Sequence, residues 1–104
     1  MLLFATQPHR GCCQAIVPLT QALHDNKPSV RSKAIYALFN LKAVDSLVYA
    51  LKDDDKYVRE QAAKALGQLK NPKALEALSL LLEDSAFFVR EAAKRALEQT
   101  KQLN

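Results

Sequence analysis

The chain repeats itself three times, and this periodicity constrains its fold more than any other feature. Val30-Arg31-Ser32-Lys33-Ala34-Ile35-Tyr36-Ala37-Leu38, Val58-Arg59-Glu60-Gln61-Ala62-Ala63-Lys64-Ala65-Leu66 and Val89-Arg90-Glu91-Ala92-Ala93-Lys94-Arg95-Ala96-Leu97 share Val-Arg-x-x-Ala-x-x-Ala-Leu. Seven residues before each Val stands a Leu (Leu23, Leu51, Leu82), and five before it an Asp (Asp25, Asp53, Asp84). Fifteen before it stands an Ala (Ala15, Ala43, Ala74). From Val30 to Val58 is 28 residues and from Val58 to Val89 is 31. The difference lies in one connection, Leu69-Lys70-Asn71-Pro72-Lys73-Ala74, which is three residues longer than Leu41-Lys42-Ala43. A period of this size belongs to a solenoid, where each unit buries its apolar face against the next and about three units are needed for stability.

Each unit reads as two helices. In the second, Val58, Ala62, Ala65, Leu66 and Leu69 recur at i, i+4, i+7, i+8 and i+11, a one-sided helical stripe. Four residues before each Val stand Asn26, Asp54 and Ser85, residue types that cap helix N-termini. The first helices are predicted over Gln14–His24, Ala43–Lys52 and Lys73–Glu83, the last with Pro72 at its first position behind Asn71. Pro18 restricts the first of them to a start close by. Composition agrees. The chain has 17 Leu and 16 Ala but only two Gly and 11 Val, Ile and Thr together, which favours helix and excludes an all-β fold. The expected architecture is all-α: a short right-handed α-solenoid of six main helices. A leader or partial cap over 1–13 precedes a repeat domain over 14–104, with units near 14–41, 42–70 and 71–104.

An Asp, then Val-Arg five residues later, then Ala-x-x-Ala-Leu, resembles the HEAT repeats. The units, from Ala74-Leu75-Glu76-Ala77-Leu78 through Ala96-Leu97, look like the short HEAT-like variety of the phycobilin lyases. The resemblance covers about 14–100. It implies that Asp25, Asp53 and Asp84 bond backbone amides and form a structural ladder with Arg31, Arg59 and Arg90 of the same or adjoining units. It also implies that the second helices line a concave side. Opposite the apolar stripe of these helices lie the rows Ser29, Lys33, Tyr36, Asn40; Tyr57, Gln61, Lys64, Gln68; and Phe88, Ala92, Arg95, Gln99. Tyr36, Tyr57 and Phe88 would be exposed aromatics beside the cations Lys33, Lys64 and Arg95, residue types enriched at binding hot spots. The partner-binding candidates are therefore Lys33, Tyr36, Tyr57, Gln61, Lys64, Phe88 and Arg95.

Charge does not point to nucleic acid. Residues 1–42 carry five Lys and Arg against Asp25, whereas 43–104 carry ten of each sign, so the net charge of +4 is loosely spread over the first third. No segment approaches the roughly 20 apolar residues of a membrane helix. Met1-Leu2-Leu3-Phe4-Ala5 lacks the basic start of a signal peptide, and a cytoplasmic protein is expected. Cys12 and Cys13 are adjacent, which fits two free thiols better than a disulfide or a metal pair.

Catalysis finds no support. The only histidines are His9 and His24, the former in a Pro- and Gly-containing leader beside the cysteines, the latter at a helix end where a cation is favoured. No His-Glu dipeptide is present, which removes the iron-binding HEAT-like hydroxylases. Asp53-Asp54-Asp55 lacks the glycine and distal Glu of a calcium loop, and no phosphate-binding glycine loop occurs. The expectation is a non-catalytic interaction module or scaffold for another protein, without cofactor or metal. The alternative, by resemblance, is an accessory subunit of a phycobilin lyase-like enzyme acting on tetrapyrrole-carrying light-harvesting proteins. At the array ends, Glu98-Gln99-Thr100-Lys101-Gln102-Leu103-Asn104 is polar enough to cap the last unit. Leu2, Leu3 and Phe4 are expected to cap the first, or else to form a weak homodimer in place of a monomer.

Overall fold

The computed structural model describes residues 19–101. Among them lie six helices and no strand: α1 (19–22), α2 (Pro28–Asn40), α3 (Val44–Ala50), α4 (Lys56–Leu69), α5 (Leu75–Leu80) and α6 (Phe87–Lys101). α3 pairs with α4 and α5 with α6 as hairpins, and α2, α4 and α6 lie side by side with α4 in the middle. This is a short helical solenoid. The leader 1–13 and its residues Leu2, Leu3, Phe4, Cys12 and Cys13, together with the start of the first predicted helix, lie outside the described residues.

The first helices are shorter than their sequence pattern implies. Val44–Ala50 replaces the expected span to Lys52. In the third unit the predicted helix divides into a 3₁₀ turn Pro72–Ala74, α5, and a second 3₁₀ turn Leu81–Glu83. Pro72 has no N–H to donate and starts the first turn, with the Asn71 carboxamide accepting from the Lys73 N–H at 2.9 Å. The extra residues of this connection thus supply the cap and the start of a turn that ends on the repeated Ala74.

The helix starts also differ from expectation. Asn26, Asp54 and Ser85 are not the caps: α2 begins behind Lys27, α4 behind Asp55, and α6 one residue after Ala86. The cause recurs in all three units. The Asp five residues before each Val accepts the N–H two residues on: Asp25 from Lys27 at 2.9 Å, Asp53 from Asp55 at 2.8 Å, and Asp84 from Ala86 at 2.9 Å. Held in this turn, the chain stays extended through Lys27 and Asp55 and enters the helix one residue later. Only α4 then has a side-chain cap, with Asp55 accepting from Tyr57 and Val58. Pro28 compensates at α2 by supplying a preset helical φ at its first position.

Burial follows stacking. The core holds Leu38, Leu47, Leu66, Leu78, Val58 and Val89, all fully buried. The stripe read from the sequence of α4 is too narrow, because Ala63 and Gly67 are buried too while Ala65 and Leu69 are only partly so. As the middle second helix, α4 is covered on both flanks. Gly67 makes the closest approach: a Cβ built on it would stand 2.8 Å from Cα and Cβ of Ala96. The positions equivalent to Ala63 and Gly67 are Ile35 and Phe39 in α2 but Lys94 and Glu98 in α6. Ile35 is buried and Phe39 half-buried, whereas Lys94 and Glu98 are exposed. The face that receives the next unit is thus apolar in the first two repeats and charged in the third. Leu82 agrees, at 40% exposed against 4% and 3% for Leu23 and Leu51.

Candidate functional site

Two constellations recur along the array, and the structure separates their roles. One is the ladder. In each unit the Arg after the repeated Val reaches back six residues and donates Nη1 to the carbonyl of the repeated Asp: Arg31 to Asp25, Arg59 to Asp53 at 2.7 Å, and Arg90 to Asp84 at 2.7 Å. The same guanidinium then reaches forward. Arg59 Nε and Nη2 fork onto Asp84 at 2.8 and 3.0 Å. Arg31 Nε lies 3.0 Å from Asp53 Oδ2 as an ion pair not aligned as a hydrogen bond, while Nη2 donates to Asp54 at 3.2 Å. Asp53 and Asp84 therefore each hold their own turn and the preceding unit's arginine, whereas the Asp25 carboxylate holds its own turn. Burial alone would raise the Asp84 pKa. The hydrogen bonds from Arg59 and the Ala86 N–H, with the charges of Arg59 and Arg90, outweigh that and hold it below its ordinary value.

At the array's end the ladder stops. Arg90 has no carboxylate partner among the described residues, and its guanidinium lies 6.0 Å from the Phe87 ring centroid. The Arg59–Asp84 rung is internally satisfied and largely buried, so it holds two units together and presents little to a ligand. Beside the first rung, the rings of His24 and Tyr49 meet at 5.3 Å over a hollow of about 320 Å³.

The second constellation is the outward row of α2, α4 and α6. Lys33, Asn40, Lys64, Gln68 and Arg95 are exposed, as are Tyr36 at 62% and Tyr57 at 55%. Gln61 and Gln99 are half-buried. Two members depart from the expected row. Phe88 is only half-buried rather than open, because its ring stacks on Tyr57 with centroids 5.1 Å apart and planes 15° apart. Ala92 is buried, at 7% exposed, though it still lines the groove between α4 and α6. The Tyr57–Phe88 stack joins units two and three, with Lys56 Nζ 5.8 and 6.0 Å from the two ring centroids. The periodicity gave no sign of Lys56, which lies one position before the row. The Lys-aromatic adjacency at Lys56-Tyr57 was the available signal.

Between the second helices run two grooves. One of about 270 Å³ lies between α2 and α4, floored by Ile35 and Phe39 and flanked by Tyr36 and Gln61. One of about 400 Å³ lies between α4 and α6, flanked by Phe88, Arg95 and Gln99. Lys64 and Gln68 border both, so the grooves meet on α4. Glu60 also lines the larger groove and pairs with Lys64 at 3.4 Å. Lys33 and Arg95 form no ion pair among the described residues. What this surface offers is aromatic area, amides and cations rather than a nucleophile with a positioned base. No described helix is long and apolar enough to cross a membrane.

Comparison with known proteins accords with the repeat pattern. The family model described as HEAT repeats matches residues 16–98, which spans all three units. It is a match to HEAT repeats at large and does not single out the phycobilin-lyase variety. No curated protein matches the chain.

Proposed function

The chain belongs to the HEAT-repeat family, arrays of which generally mediate protein–protein interaction, and on that premise we propose that it is a non-catalytic interaction module or scaffold. Its partner is another protein, received on the outward row of α2, α4 and α6, the concave side of the array. The observation that carries this reading is the continuity of that surface. Tyr36, the Tyr57–Phe88 stack, Lys64 and Arg95 come from three successive units and border two grooves that meet at Lys64 and Gln68. Aromatic and cationic side chains of this kind are enriched among the residues that carry binding energy. The ladder at the starts of these helices ties successive units together and so supports the spacing of the row. The adjacent Cys12 and Cys13 support a reducing compartment, and we assign the module to the cytoplasm.

The test is capture of partners from native lysate by the wild type and by a Tyr57→Ala, Lys64→Glu double variant. Neither residue is buried, so helical circular dichroism stays unchanged. Loss of the captured proteins supports the assignment, and an identical set of partners in both samples removes it.

A further inference from the structure

We infer that the outward row takes an extended acidic segment of a partner protein, with carboxylates about three residues apart. This rests on the reading of that row as the interaction face and adds to it the chemistry of the partner. The row is cationic on balance. Lys33, Lys56, Lys64 and Arg95 stand on or beside it, against Glu60 and Glu91, which line the larger groove. Lys64 is shared with Glu60, whereas Lys33 and Arg95 are exposed and form no ion pair among the described residues.

The register sets the spacing. Lys64 and Arg95 occupy the same position in successive repeats, so they are separated across α4 and α6 by one helix–helix distance, about 8–10 Å. A polyproline II segment has three residues per turn and advances about 3.1 Å per residue, so one that crosses the two helices turns every third carboxylate, about 9 Å apart, toward the same surface and brings one to each cation. Between the cations, the groove offers Phe88 and Ala92 as an apolar lining for an intervening side chain. Gln68 and Gln99 border the same groove, and amides of this kind both donate to and accept from a peptide backbone.

A nucleic acid fits this surface less well. Its phosphates recur at every nucleotide, and binding scales with the number of cations that neutralise them. Here few cations are separated by neutral amides, and Glu60 and Glu91 line the groove that a phosphate backbone would have to follow.

The experiment is fluorescence anisotropy with a labelled peptide bearing glutamate at every third position among proline and alanine. Three probes accompany it: the same peptide with glutamine for glutamate, one with its glutamates moved to adjacent positions, and an oligodeoxythymidine strand. The expected result is binding of the spaced acidic peptide that weakens about tenfold with glutamine or with clustered glutamates. It weakens by a similar factor in Lys64→Glu and in Arg95→Glu, both checked for unchanged helicity. Equal affinity for the glutamine peptide, or tighter binding of the oligonucleotide, overturns the acidic-segment inference. So does the absence of binding to the spaced peptide. In all three cases the interaction face still stands if lysate partners are lost with Tyr57→Ala. Binding of the acidic peptide that neither charge reversal alters also overturns the inference, because that ligand then sits elsewhere, and the interaction face is still decided by the lysate capture.

Discussion

Arg59 forks onto Asp84 of the following repeat, Nε and Nη2 meeting the two carboxylate oxygens at 2.8 and 3.0 Å, while its third nitrogen closes the turn of its own repeat. One side chain therefore fixes both the inside of a unit and its distance from the next. With 15% and 8% of the two side chains exposed, the pair is shielded from solvent screening.

Arg59→Lys keeps the charge but cannot reproduce the fork, and it is expected to lower unfolding free energy by about 1–2 kcal/mol. Arg59→Ala, which also leaves Asp84 without its partner, costs about 3 kcal/mol. Arg90→Ala costs less, about 1 kcal/mol, because it removes the bond to the Asp84 carbonyl and the Phe87 contact but no inter-repeat fork. Urea denaturation of the three variants gives the order. Equal losses at Arg59 and Arg90 mean that the inter-repeat fork contributes nothing.

Stability falls in acid through Asp84. Its pKa is lowered in the folded state from an ordinary value of 3.8, so the unfolded chain binds the proton more readily. The contribution is complete above that ordinary value and is lost as pH falls through the lower folded value. Unfolding titrations in the window below about pH 4 should show a stability slope that Asp84→Asn reduces. A variant with the wild-type slope assigns the acid sensitivity to other carboxylates.

Gly67→Ala should destabilise despite alanine's better helix propensity. The new methyl would meet the Ala96 backbone at 2.8 Å, so α4 and α6 must separate. Overpacking of about 2–3 kcal/mol outweighs a propensity gain of about 1 kcal/mol, leaving a net loss of about 1–2 kcal/mol. Thermal unfolding measures the sign, and a rise in melting temperature shows that the helices yield freely.

Lys42 and Lys70 both sit in the left-handed region, at φ 57° and 53°, where α2 and α4 end. Past α2, the Ala43 N–H reaches the Leu38 carbonyl and the Lys42 N–H reaches that of Phe39, a closure that glycine usually makes. Lys42→Gly and Lys70→Gly are each expected to gain about 0.5–1 kcal/mol, relief of the Cβ clash exceeding glycine's entropy cost. No gain in urea midpoint would mean that the lysine stems pack well enough to offset their backbone strain.

The resemblance to HEAT repeats implies the ladder, and the repeated string keeps most of its parts sequence-local. An Asp two residues from the amide it holds, and six from the arginine that bonds its carbonyl, repeats as a fixed string. The sequence leaves open whether an arginine pairs within its unit or with the next, and the structure joins Arg59 to Asp84, 25 residues on. The outward row was legible as a helical face, but its occupancy was not. Phe88 was expected to stand open, and the ring of Tyr57 covers it because one helix spacing brings equivalent aromatics into stacking range. Helix starts were missed by one residue because the Asp turn, rather than the best capping residue type, decides where the extended chain ends.

The sequence by itself determined the class, the number of units, the pairing of helices and the amphipathic faces. These follow from local hydrogen bonding, helical period and repetition, all encoded within a few residues of one another. Only the tertiary structure decided which flank of each helix is covered. The middle helix buries Ala63 and Gly67 because it has neighbours on both sides, whereas the equivalent Lys94 and Glu98 remain in water at the end of the described array. The same string of residues is thus core in one unit and surface in another. Burial is set by what stacks against a face, and that contact lies a full repeat away along the chain.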